Sequence, residues 1–276
     1  MADRSSKPLG PSLAPVVPKK DRARHEVANG FRQFDELGEM IRVGLAGGRF
    51  ELRPWILMKL NKLSVEGLQD DAGRYRLSEI EITDSKLVPP SHEDVPRFVD
   101  ELCDHVNANW SRTAVHLASY VMWRLNWIHP FSDGNGRTSR AASYLVLCVR
   151  AGLELPGDKT IPQQIVENKE PYYKALEHAD IKKTPEGDPD LGPMEHLLGT
   201  LLQLQIMNAA NTTWSRSTKP QRATGAREGT GSQIALPVQG GVPALSKGWI
   251  AAHPLTSALI GLAGVIVAAL IPIMCV

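Results

Sequence analysis

The sequence predicts an all-α domain that carries one protruding β-hairpin and is followed by a C-terminal transmembrane helix. Three observations lead there. From about residue 23 to 207, apolar residues recur at three- and four-residue steps, the period of one buried helix face. One segment around Ile80 and Ile82 alternates apolar and polar instead, as a strand does. The last 29 residues, Gly248 to Val276, contain no Asp, Glu, Lys or Arg.

Residues 1–22 are broken by Pro8, Pro11, Pro15 and Pro18 and read as a flexible lead-in, with no apolar run of the kind a secretory signal needs. Val27, Phe31, Phe34, Leu37 and Ile41 then form one stripe on a first helix. Arg53 to Leu63 is a second, with proline in its first turn, where the missing N–H costs nothing. The strand residues Ile80 and Ile82, a turn at Asp84-Ser85 and a return through Lys86 and Val88 to Pro89-Pro90 make a short hairpin. His92 to Trp110 and Ser111 to Ile128 are further helices, and the second is apolar enough to be the buried centre.

Composition bounds what such a domain does. Hydrophobic residues make up 42%, which excludes disorder over most of the chain. Lys+Arg 31 against Asp+Glu 30 leaves a net charge of +1. No basic excess exists to neutralise phosphates, so nucleic acid is not an expected partner. Cys103, Cys148 and Cys275 show no zinc spacing and no disulfide framework, as in a reducing compartment.

Beyond residue 207 the composition shifts. Residues 208–247 are rich in Gly, Ser, Thr, Pro and Gln and read as a linker. Residues 248–276 follow as a membrane anchor: Leu255 to Val276 is 22 residues, apolar on every side, and about 20 suffice to cross a hydrocarbon core. Arg216, Lys219, Arg222, Arg227 and Lys247 precede it, so the positive-inside rule keeps the domain in the cytoplasm.

The chemistry is concentrated in His129-Pro-Phe-Ser-Asp-Gly-Asn-Gly-Arg-Thr-Ser-Arg140. Pro130 ends the preceding helix at His129. Gly134, Asn135 and Gly136 make a tight turn, and a new apolar helix begins at once. Free N–H groups at a helix start attract anions. Arg137 and Arg140 lie in that first turn, where the dipole disfavours cations by about 0.3–1 kcal/mol each. Foldability does not ask for them there; a polyphosphate does. Asp133 could hold the Mg²⁺ that travels with such a ligand. His129, at the mouth, is a base with a suitable pKa range.

This stretch resembles the signature of the Fic family, HPFx(D/E)GNGRxxR, at every specified position. Flanking segments resemble the family too: Ala72 to Arg76 with the hairpin resembles its flap, and Pro171 to Leu176 and Asp190 to Leu198 its last helices. The resemblance implies a protein adenylyltransferase that moves AMP from ATP onto a Ser, Thr or Tyr hydroxyl. In that scheme His129 takes the hydroxyl proton and Asp133 holds Mg²⁺ or Mn²⁺. Gly134, Asn135 and Gly136 cradle the phosphates, with the Asn135 side chain on the α-phosphate, and Arg137 and Arg140 grip the outer ones. Ile80, Ile82, Lys86 and Val88 of the flap bind the protein target by strand addition. Tyr172 and Tyr173 are expected in the core, with an approach to the adenine as the alternative. An inhibitory (S/T)xxxE(G/N) helix is not expected, since Glu66 has Lys62 four residues before it and Glu228 lies in a Gly- and Ser-rich stretch. Phosphate transfer, another nucleotide donor, and a silent membrane-tethered interaction protein are the alternatives.

Overall fold

The structure is a computed structural model that describes residues 6–9 and 17–217. The linker beyond Ser217, the proposed anchor, Glu228 and Cys275 lie outside those residues. No helix among the described residues is long and apolar enough to cross a membrane.

A helical pair makes the centre. Helix α4 (Ala114–Ile128) and helix α5 (Asn135–Ala151) pack along their lengths and are joined by the short turn His129–Gly134. From Thr138 to Val149 every residue of α5 is buried, so α5, more than α4, is the innermost helix. Around the pair stand α1 (Lys19–Ala46) and α2 (Pro54–Val65) on one side. Helix α3 (Val95–Ala108) covers α4, while α6 (Ile161–Glu167), α7 (Glu170–Ile181) and α8 (Gly192–Ser217) close the rest. The expected first helix is therefore longer than its apolar stripe, and the last one runs into the stretch read as linker.

That stripe is only half buried. Leu37 and Ile41 enter the core, but Val27, Phe31 and Phe34 are 61, 69 and 55% exposed. Tyr172 is buried, with its hydroxyl 2.8 Å from Asn126 Nδ2. Burial pushes the Cys103 thiol up to about 12 and the Cys148 thiol up to about 11, so both are inert neutral groups.

The hairpin is corrected. Strand β2 (Ile80–Ile82) ends in a turn in which Ser85 N–H donates to Ile82 O and Asp84 takes φ 57°. No returning arm pairs with it: Leu87 N–H is satisfied by Ser85 Oγ, and Pro89 and Pro90 have no N–H to offer a ladder. Lys86 and Val88 are exposed and outside any strand. The partner of β2 is instead β1 (Ser6–Pro8), antiparallel, from the stretch read as a flexible lead-in. Ser6 lies opposite Ile82, Lys7 opposite Glu81 and Pro8 opposite Ile80. Leu9 N–H extends the ladder to Glu79 O at 3.0 Å.

Candidate active site

His129 terminates α4 in a left-handed conformation, φ 52° and ψ 58°. Such a backbone on a non-glycine residue costs about 1–3 kcal/mol and persists only where neighbours impose it. The neighbours are identifiable. His129 N–H donates to Leu125 O at 2.9 Å. Arg76 Nε donates to His129 O at 2.9 Å, and the Arg76 backbone N–H donates to Pro130 O at 2.9 Å.

The imidazole is oriented as a base should be. Nδ1 lies 3.2 Å from Asn126 O. A carbonyl oxygen only accepts, so in the neutral ring Nδ1 carries the hydrogen and Nε2 keeps its lone pair. Nε2 lies 3.1 Å from Ser6 Oγ.

The anion turn follows. Gly134 has φ 79°, and a Cβ there would come within 2.7 Å of Ser64 Oγ and Val65 Cγ1. Glycine is required at this position for conformation and for room alike. Gly136 differs: a Cβ there would meet only Arg140 Nη1, at 3.1 Å. Its small size keeps the guanidinium beside the turn. No side chain caps α5, which leaves its first N–H groups for a ligand. Arg140 forms no ion pair among the described residues although it is 94% buried.

Arg137 and Arg140 line a cleft of about 480 Å³ whose far wall carries Phe31, Phe34 and Pro162. The exposed aromatic side of α1 is thus part of this site's surroundings.

Asn135 spans its own loop. Its Oδ1 accepts from Phe131 N–H at 2.9 Å, and its Nδ2 donates to Phe131 O at 2.7 Å and to Ser6 Oγ at 3.2 Å. Phe131 is the buried anchor of the turn. The Asp133 carboxylate has four partners among the described residues, including Gln69, whose Nε2 donates to Oδ2 at 3.4 Å. Gly134 N–H donates to its Oδ1 at 2.6 Å, Arg137 Nη2 lies 3.4 Å from Oδ1, and Arg22 Nη2 of α1 lies 2.8 Å from Oδ2. Desolvation lowers the pKa of the Arg22 guanidinium, but the Asp133 and Glu26 carboxylates outweigh it and leave a net rise.

Four residues to which the sequence reading gave no role of their own position this site. Ser6 and Arg22 touch its chemistry directly. Asn61 donates to Asp133 O at 2.9 Å and accepts from Gly73 N–H at 3.0 Å, joining α2, the anion turn and the approach to β2. Its signal was a polar residue in the apolar run of α2. Arg76, whose side chain is fully buried, also donates to Ser78 O at 3.1 Å and to Pro90 O. Burial lowers its pKa, and Glu79 at 3.7 Å opposes that. Glu66 pairs with Arg32 at 3.1 Å and takes no part.

The Fic/DOC family model matches residues 51–147. The chain is 31% identical over 119 residues to a protein adenylyltransferase Fic of Nematostella vectensis, covering 41% of this chain and 25% of that protein. It is 28% identical over 159 residues to protein adenylyltransferase VbhT of Bartonella schoenbuchensis, covering 56% of this chain and 32% of that one. The chain thus spans a quarter to a third of these relatives. Fic-1 (residues 134–508) of C. elegans superposes with a TM-score of 0.55 at 19% identity, over 74% of this chain and 56% of that one. With the HPFSDGNGRTSR turn formed at its end of α5, the chain carries a Fic/DOC-family domain over residues 51–147.

Proposed function

We propose that this domain transfers AMP from ATP to a Ser, Thr or Tyr hydroxyl of a protein. The observation that carries this reading is a hydroxyl 3.1 Å from a correctly oriented His129 Nε2, beside an uncapped helix start flanked by two arginines. The base takes the hydroxyl proton, and the oxygen attacks the α-phosphorus as pyrophosphate leaves. The N–H groups of α5 and the Arg137 and Arg140 guanidiniums hold the polyphosphate and meet the charge that builds on it. The cleft beside the arginines has a volume ordinary for a small-molecule site. The relatives' names support adenylyl transfer as the chemistry. The pairing that β2 makes with β1 supports a target bound by strand addition at that same edge, in place of β1.

Asp133 fits a divalent cation. It offers one carboxylate at the phosphate cradle, and Mg²⁺ or Mn²⁺ needs little more from protein when phosphates supply other oxygens. The position already attracts a cation, since Arg22 occupies Oδ2, and loading requires that guanidinium to withdraw. A metal there would neutralise phosphate charge.

The test uses the full chain in detergent with a cell lysate and ATP labelled at either the α- or the γ-phosphate. Protein label is expected from the α-position only, and only with Mg²⁺ or Mn²⁺. Label from the γ-position would establish phosphate transfer instead, and full activity in EDTA would remove the metal role of Asp133.

The proposal includes location. The 29 uncharged residues Gly248 to Val276 hold the domain at a membrane, on the cytoplasmic side where ATP is found. Carbonate-washed membranes are expected to retain the full chain and to release a chain ending at Lys247. Release of the full chain would refute the anchor.

A further inference from the structure

The geometry points to Ser6 as an acceptor built into this chain: the domain adenylylates its own β1 strand. This rests on the transfer reaction proposed above. Strand β1 occupies the edge of β2 where a target would add, and it does so in a definite register. Ser6 Oγ consequently lies 3.1 Å from His129 Nε2 and 3.2 Å from Asn135 Nδ2. Those two groups would accept the proton of an attacking hydroxyl and orient its oxygen.

Register is what makes this specific. Side chains alternate faces along a strand, so a slip of one residue would turn the Ser6 hydroxyl away from the site and bring Lys7 or, in the other direction, Ser5 to its place. Lys7 opposite Glu81 is an oppositely charged cross-strand pair, which favours the observed register. One backbone bond, from Leu9 N–H to Glu79 O, extends it by one residue. Such a short pairing would be weak between separate molecules. Within one chain the effective concentration is on the order of mM, so the edge is occupied without a partner. A strand that merely blocked the edge could place any side chain at the base. The one placed there is a primary alcohol, the nucleophile the reaction uses.

The step balances with ATP as the co-reactant. Ser6 Oγ attacks the α-phosphorus, and an Oγ–P bond forms while the bond from that phosphorus to the bridging oxygen of the β-phosphate breaks. The hydroxyl proton passes to His129 Nε2, and pyrophosphate departs with the electron pair. The product is a phosphodiester of Ser6 and adenosine.

The experiment takes the full chain in detergent with Mg²⁺ and α-labelled ATP, with and without lysate, followed by peptide mass mapping. One AMP is expected on the peptide that contains Ser6, formed at a rate independent of protein concentration. Ser6→Ala should abolish self-label, and Ser6→Thr should restore it at residue 6. Labelled lysate proteins with no AMP on residues 1–9 would overturn this inference and leave the transferase reading standing. Self-label that survives Ser6→Ala, or a self-labelling rate that rises with protein concentration, would overturn it likewise. No label anywhere would overturn both.

Discussion

His129→Asn is expected to abolish AMP transfer while ATP still binds. The general base accounts for about 10²–10⁴-fold in rate, and the phosphate contacts proposed above lie on α5 rather than on His129. Asparagine is the informative substitute because it tolerates the left-handed backbone that residue 129 adopts. His129→Ala should lose activity to the same degree with an added stability cost, since alanine takes this conformation at about 1–2 kcal/mol. Labelling of lysate proteins and titration of a fluorescent ATP analogue separate the two effects. Undiminished labelling by His129→Asn would show that another group removes the proton.

The second large effect concerns a residue that touches no substrate. Arg76→Met keeps most of the side-chain volume and removes donors to His129 O, Ser78 O and Pro90 O. Hydrogen bonds to a charged group contribute about 1.5–3 kcal/mol each. Against that stands relief from burying a guanidinium, several kcal/mol for an ion. The balance is a loss of ~3 kcal/mol, which for a domain of this size lowers Tm by ~6–12 °C. Because one of the three bonds sets the His129 carbonyl, kcat should fall well beyond what the folded fraction explains, with KM for ATP little changed. Thermal unfolding beside kinetics below the transition checks this. A variant with wild-type kcat and Tm would show that the clamp is dispensable.

Much of this architecture was legible because helices are local. The steps of α2, α3 and α4 could be read directly, and so could the turn from His129 to Arg140, whose parts lie within twelve residues. What escaped was non-local. Nothing near Ile82 shows that its strand partner is Ser6, because backbone pairing between distant segments leaves no periodic trace. The local alternative, a return through Val88, looked complete in letters, but its Leu87 N–H goes to Ser85 Oγ and it runs at once into two prolines that have none. Arg76 is hidden for a related reason: a charged residue reads as surface until three carbonyls are seen to surround it. The aromatic half of the α1 stripe misled in the other direction. Val27, Phe31 and Phe34 have the period of a core face and remain more than half exposed, beside the cleft of the two arginines.

The joining of α4 to α5 by one short turn has a kinetic consequence. Contacts between helices that are neighbours in sequence close small loops, and structures rich in them form quickly. Base and anion turn are therefore expected to assemble with the innermost helical pair and to open only with it. Strand β1 stands at the other extreme. Its three residues join the fold through a distant edge and few bonds, so it is expected to open more readily than the template it pairs with. Catalyst and occupant are expected to differ in lifetime even though Ser6 Oγ bonds both His129 and Asn135.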